Sequence, residues 1–318
     1  MRMKKIFVAI TMLLSASLSA QSLQNIPVKP SLFNEASSPM QERDMAISPD
    51  GSLMFYTIQG NQHLYSVIVF KKRNKDLTWS SPEVASFSGR YGDLEPAFTS
   101  DGKKLFFCSN RPLSNSGDPK DYDIWYVEKN ERGWSEPVNA GPAINTAANE
   151  FYPAISNSGN LYFTAEYEHG VGKEDIFMSA YKNGEFQKSI PLDTAVNSKL
   201  WEFNAYVSPD ETTILFTSYG RKGEMGGGDI YMSTKDASGK WKSAKRVALI
   251  NSVKLDYCPF VSFDQQVLFF TSGGRYEIPK SFDKPITYKE LLSLTNAAEN
   301  GSENIYWVSM KAVLESLK

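Results

Sequence analysis

Five carboxylates recur at one position of a repeating pattern in this 318-residue chain: Glu42, Asp93, Glu150, Glu202 and Asp256. Each stands eight residues ahead of the third residue of a turn. The turns are Ser48-Pro49-Asp50-Gly51, Thr99-Ser100-Asp101-Gly102, Ser156-Asn157-Ser158-Gly159, Ser208-Pro209-Asp210-Glu211 and Ser262-Phe263-Asp264-Gln265. Acids gathered by a repeat can do three kinds of chemistry. Two of them in unlike surroundings serve as acid and base, or acid and nucleophile, in glycoside hydrolysis, with Glu150 and Glu202 as the pair. A ring of them accepts a hard cation such as Ca²⁺, or a cationic group of a partner. Paired with guanidinium groups, they tie strands together. Like charges ~8 Å apart at an effective dielectric near 20 repel by roughly 2 kcal/mol, so a ring needs compensation. Arg111, Arg221 and Arg275 follow the second strands of their repeats, where they can supply it. Structural pairing is the default for acids that recur in every repeat, because catalysis needs one or two whose environments differ.

Other chemistry-bearing residues add little to a catalytic reading. Tyr91, Tyr152 and Trp201 lie beside the acids, placed to stack on a sugar or peptide or to pack between repeats. Asp123, Asp175 and Asp229 open third strands and read as acceptors for loop backbone N–H groups; Asn145, Asn197 and Asn251, five residues ahead of an acid, read as Asx turns. His63 and His169 are the only histidines, without zinc-ligand spacing and in separate repeats, which disfavours both a zinc site and a Ser-His-Asp triad. Gly226-Gly227-Gly228 lacks the following helix and Lys-Ser/Thr pair of a phosphate cradle and reads as a flexible loop. Cys108 and Cys258 are too few for a disulfide framework and read as buried free thiols. No motif calls for a cofactor; a metal-dependent hydrolase, or Ca²⁺ held by the ring, stays open. The net charge of −2 provides no basic footprint for nucleic acid.

The elements that must position these residues are strands. Counted between the third turn residues, the repeat spacings are 51, 57, 52 and 54. After each turn comes an aromatic strand such as Leu53-Met54-Phe55-Tyr56 or Val267-Leu268-Phe269-Phe270, and then a third strand such as Asp229-Ile230-Tyr231-Met232. A fourth opens with Trp79, Trp134, Phe186 or Trp241 in the first four repeats. Four antiparallel strands repeated at about fifty residues predict an all-β fold, a β-propeller of five blades with six as the alternative. First strands are innermost in a propeller, so the five acids are expected around the mouth of the central channel, on the face that carries the long loops. The last repeat lacks its fourth strand, and Asn25-Ile26-Pro27-Val28 is expected to supply it and remove two open sheet edges. The long loop of that repeat, about 276–303, contains the capping box Thr287-Tyr288-Lys289-Glu290 and predicts a short helix through about Ala298, packed on its blade or covering the mouth.

The sequence Pro-Ala-Phe-Thr-Ser-Asp-Gly, then Phe-Phe-Cys-Ser-Asn-Arg, then Tyr-Asp-Ile-Trp (residues 96–125) resembles the WD-like propeller repeat of the TolB type, with imperfect matches across the rest of the chain. The resemblance implies a periplasmic propeller and envelope protein interactions. TolB itself has six blades and an additional N-terminal domain, neither of which is evident here. Residues 1–20 carry Arg2, Lys4 and Lys5, an apolar run from Ile6 to Leu14 and a small-residue stretch to Ala20, which reads as a cleaved signal peptide ahead of a single domain over 21–318. No later apolar run is long enough to span a bilayer. The expectation is a periplasmic or secreted monomer, non-enzymatic, that binds or scaffolds an envelope protein or glycan through its long-loop face. Candidate binding residues are the five acids, the three arginines, Tyr152 and Trp201. The alternative is a carboxylate-dependent glycoside hydrolase or a metal-dependent hydrolase on the same fold.

Overall fold

A computed structural model describes residues 23–318 apart from residues 115, 276–278 and 280; residues 1–20, read from the sequence as a signal peptide, lie outside the described residues. Five sheets follow one another along the chain. Blade 1 is built from Gln41–Ile47, Leu53–Gln59, Ser66–Lys72 and Glu83–Val84; blade 2 from Asp93–Phe98, Lys104–Ser109, Asp123–Asn130 and Val138–Asn139. Blade 3 comprises Glu150–Ile155, Leu161–Ala165, Asp175–Ser179 and Ile190–Pro191; blade 4 comprises Trp201–Val207, Thr213–Tyr219, Asp229–Thr234 and Lys245–Arg246. Blade 5 takes Asp256–Val261, Val267–Ser272 and Asn304–Ser309 from the C-terminal part of the chain and Ser31–Leu32 from the N-terminal part. Each first strand touches the first strands of the blades on either side, the fifth touching the first, so the ring closes as a five-bladed propeller.

The turns form as their chemistry demands. In the first, the Ser48 hydroxyl and the Ser52 N–H both donate to Asp50 Oδ1, at 2.6 and 3.0 Å; Asp101, Asp210 and Asp264 are held alike. The hydrophobic core lies in the seams between blades and not in one central mass. Tyr56, Phe107, Phe163, Phe216 and Phe270 occupy matching places on the second strands, and all are buried. One apolar cluster fills each of the five seams. Burying one such ring contributes about 1.5–3 kcal/mol, so each seam is a separate adhesive joint.

The N-terminal closure occurs, but a few residues later than Asn25–Val28. Ser31 and Leu32 pair with Trp307 and Tyr306; beside them Phe33 N–H donates to the Ile305 carbonyl at 2.9 Å, and Pro27 contributes only its carbonyl, accepting from Ser309 N–H at 2.7 Å. Pro30 has no N–H for a ladder, so regular pairing starts after it. The Phe33 ring then packs edge-on against Phe269 and Trp307, at 5.1 and 5.3 Å. Outer strands elsewhere also begin later than expected. Trp134 sits in a hairpin extension of the third strand, Phe186 in a separate hairpin, and Trp79 and Trp241 in single bridges to Arg73 and Lys235.

Two loop readings change. Gly226 is no flexible element: a side chain there would collide with the backbone of Val253, and Gly228 adopts φ +135° beside Leu255, so these glycines admit a close approach of the next connection. Asn145, Asn197 and Asn251 do not form local Asx turns. Each brackets a residue 21 positions earlier on a third strand, as where Asn197 accepts from Ile176 N–H at 2.9 Å and donates to its carbonyl at 3.0 Å. Asn145 and Asn251 do the same at Ile124 and Ile230. Helix α1, Tyr288–Thr295, carries the expected capping box between Thr287 and Glu290 and ends three residues short of Ala298; none of its residues is buried. A second helix, α2, Met310–Ser316, has no side-chain cap to announce it and seats Met310 and Val313 in the seam of blades 4 and 5.

Candidate functional site

All five repeating acids begin first strands or lie one residue inside them, and all are buried. Each accepts from a Ser or Thr four or five residues earlier, on the connection entering its blade. Ser88 and Asp93 are 2.9 Å apart, Thr146 and Glu150 2.7 Å, Ser198 and Glu202 2.8 Å; Ser38 reaches Glu42, and Ser252 N–H reaches Asp256. Arg111, Arg221 and Arg275 approach Asp93, Glu202 and Asp256 at 2.6, 2.8 and 2.9 Å. The same guanidinium groups donate to the Phe87, Val196 and Ile250 carbonyls of the incoming connections. In blade 3 Tyr167 stands in for arginine, its hydroxyl 2.6 Å from Glu150 and 2.9 Å from the Ile144 carbonyl. The acids therefore stitch each incoming connection to the exit of its second strand. Burial prevails where the guanidinium is missing, and it raises Asp93 even against Arg111. It pushes Glu42 up to about 8 and Glu150 up to about 7, against hydrogen bonds that pull the other way.

The axis itself is lined by other residues, which is where the expected carboxylate ring is displaced. Every first strand carries a bulge two residues after its acid, where the register to the second strand slips. The residues there are Asp44, Glu95, Tyr152, Asn204 and Cys258, all with left-handed backbone at φ 50° to 61°. Five non-glycine residues in that region, at one matching position, mark stored strain and re-aimed side chains.

Those side chains meet in one buried network drawn from all five blades. Arg43 Nε contacts both Asp44 oxygens at 2.7 and 2.8 Å, and its Nη2 donates to Glu95 Oε1 at 2.9 Å and toward Cys258 Sγ at 3.6 Å. The guanidinium also lies 5.0 Å over the Tyr257 ring. Glu95 Oε1 accepts from Asn204 Nδ2 at 3.3 Å; its Oε2 accepts from Tyr152 N–H at 2.7 Å and Cys108 Sγ at 3.2 Å. Burial, and then the Asp44 charge, raise Glu95 above the ordinary carboxylate range. Bulge N–H groups of blades 1, 2 and 4 donate to Thr271, Thr57 and Thr164 on the neighbouring blade, at 3.0 to 3.3 Å. Cys108 occupies the place of that threonine in blade 2, so the Tyr152 N–H turns to Glu95 instead. Both cysteines are free, buried and in contact with this network.

The network plugs the axis. Toward the hairpin turns lies a small cavity of about 50 Å³, walled largely by apolar residues including Phe98, Tyr206 and Phe260. Toward the long loops opens a mouth of about 330 Å³, floored by Arg43, Glu95 and Asn204 and walled by Phe151, Phe203 and Tyr257 from the first strands. Gln59, at the end of the second strand of blade 1, and His63, Tyr122 and Glu174 from the second-to-third-strand loops complete its rim. Of the candidates read from the repeat, the five acids and three arginines stay outside this lining, Tyr152 lies in the plug, and Trp201 packs on Tyr219 at 5.6 Å. α1 lines neither cavity. Among the described residues no group of three or more His, Cys, Asp and Glu side chains is arranged to hold a metal ion, and no helix is long and apolar enough to cross a membrane. The residues missed by sequence reasoning, Arg43, Glu95, Gln59 and Glu174, carry no shared type across the blades. For Glu95 the signal is positional: the place two residues after each acid varies from blade to blade, as a functional surface on a regular scaffold does; Arg43, Gln59 and Glu174 carry no such mark.

No family profile and no curated protein matches the sequence. Solved structures do match in shape. A complex of BT0996 with RGII aligns with a TM-score of 0.54 at 9% identity, over 89% of this protein and 91% of that one. The α-L-arabinofuranosidase PaAbf62A from Podospora anserina, in complex with cellotriose, aligns at 0.50 and 10% identity, over 89% and 94%. TolB from Acinetobacter baumannii aligns at 0.46 and 13%, over 84% of this protein, which spans about half, 54%, of the TolB polypeptide. Identities this low speak to architecture alone, and the architecture that the first two share with this protein is the β-propeller.

Proposed function

We propose that this protein is an exported, non-enzymatic binding propeller of the cell envelope, periplasmic or secreted, which engages a partner through the axial mouth on its long-loop face. The observation that carries the reading is the mouth itself: a cavity of about 330 Å³ walled by residues from all five blades, with aromatic sides and a polar floor. Concave sites of mostly apolar lining with a few placed polar groups are what ligand recognition uses. The resemblance to TolB-type repeats and the signal-peptide pattern of residues 1–20 support placement in the envelope.

Binding is favoured over hydrolysis by how the carboxylates are spent. Glu150 and Glu202 are wholly buried and bonded within their blades, away from the mouth. Asp44 and Glu95 share one guanidinium, so neither is free to activate water. One observation favours the hydrolytic reading: burial and neighbouring acids push Glu174 at the rim up to about 8, as a general acid requires. The two readings separate in one assay. Aryl-glycosides incubated with the protein are expected to show no turnover above buffer; turnover lost in Glu174→Gln would replace binding with hydrolysis.

A further inference from the structure

Two acceptors at the mouth have no partner. Gln59 Oε1 is buried without a hydrogen bond, while its Nε2 is taken by Ser66 at 3.0 Å. The Glu174 carboxylate has no hydrogen-bond or ion-pair partner among the described residues, and it too lines the mouth. Of the donors nearby, the Asn204 amide goes to Glu95, and Arg43 Nε and Nη2 go to Asp44 and Glu95, so none of these reaches the two acceptors. A ligand that completes this site must donate hydrogen bonds.

Charge points the same way. Arg43 is balanced by Asp44 and Glu95, which leaves Glu174 unmatched, with Glu166 and Asp175 nearby as further acids. The walls contributed by Phe151, Phe203 and Leu255 are apolar, and Tyr257 adds an aromatic face. They suit an alkyl stem, and aromatic faces attract a cation at its end.

On the reading that the mouth is the binding surface, we propose that it receives a primary alkylammonium, the side chain of a lysine on a protein partner, with the ammonium between Gln59 Oε1 and Glu174. The stem lies along the aromatic walls, and the ammonium supplies the charge that matches Glu174 and the donors that Gln59 Oε1 and Glu174 accept. Affinity rises with pH as Glu174 ionises. The other titratable groups facing it are His63, Tyr122, Glu95, Arg43 and Tyr257 within the mouth, with Glu166 and Asp175 beside it.

The test is calorimetric titration of the full protein with Nα-acetyl-lysine methylamide, its Nε-acetylated form, and glucosamine, each at pH 6.5 and 8.5. Expected is binding of the free amine that weakens at least about tenfold on Nε-acetylation and about tenfold in Glu174→Gln, is partly restored in Glu174→Asp, and is tighter at pH 8.5. Circular dichroism confirms that the variants fold. Equal binding of the acetylated form, tighter binding of glucosamine, or absence of binding to the free amine overturns the proposal. Capture of an envelope partner by the wild type that Glu174→Gln leaves unchanged would sink the lysine assignment and leave the binding-propeller reading standing; capture blocked by mutations remote from the mouth would sink that reading instead.

Discussion

At the scale of single residues, identity matters less than what each carboxylate is given to hold. Asp93, Glu202 and Asp256 have an arginine and a serine each, and the pair opposes the energy of burying the charge, incompletely at Asp93, where burial still raises the carboxyl. Removing one partner of a buried pair strands the other, so Arg111→Ala is expected to destabilise by about 3–5 kcal/mol in a denaturant melt. A loss under about 1 kcal/mol would mean that the stitch contributes little. Glu42 has no such partner, and one of its oxygens is buried without a hydrogen bond. Its folded pKa near 8 lies above the ordinary value of 4.5. The protonated form is the one the fold accommodates, so its contribution is fully present below about 4.5 and is lost as pH rises through 8. Glu42→Gln should therefore melt well above the wild type at pH 8.5, by about 1.4 kcal/mol for each unit of the shift, with the gap closing toward pH 4.5. A gap independent of pH would contradict the assignment.

Strands and turns are largely legible in the residues themselves, because their signals are local. Ser-x-Asp-Gly turns and alternating aromatic strands each answer to one short stretch of chain, and a period near fifty is visible only as their sum. The capping box at Thr287 and Glu290 is equally local. What escapes such reading depends on distance in the chain. Likeness to Pro137-Val138 places the closing strand at Asn25–Val28, yet Ser31 precedes Glu42 by 11 residues, as Lys245 precedes Asp256, and counting back from the acid finds it. The bulges escape for another reason. A residue forced into left-handed backbone is ordinarily glycine, asparagine or aspartate, and only Asp44 and Asn204 of the five are of those types. Tertiary bonds, most of them to threonines on adjacent blades, impose the conformation on the rest. The closure predicts a sharp effect at element scale: Phe33→Ala should lower stability by about 3–5 kcal/mol, and deletion of residues 21–36 should lower the melting temperature steeply. A melting temperature unchanged by the deletion would refute closure by the N-terminal strand.

Across the whole molecule, five nearly equivalent seams make a rigid ring, and the rigidity lets the axial positions differ from blade to blade. Regularity is confined to residues that hold the ring together, the aromatic rings of the second strands and the acids at the strand starts. Diversity is confined to the axis, where Arg43, Glu95, Tyr152, Asn204 and Cys258 form a plug that no single repeat contains. A mouth closed from below by that plug is a cup open to one side, suited to receive a projecting group and not to conduct one through. The most direct measurement compares quantitative capture from envelope extract by the wild type, by Phe203→Ala combined with Glu174→Gln, and by Tyr181→Ala, an exposed residue of the separate hairpin that holds Phe186, on the outer rim away from the mouth. Loss of the captured partner in the mouth variant with full retention in the rim variant is the result expected; retention in the mouth variant, or loss from the rim change alone, would contradict it.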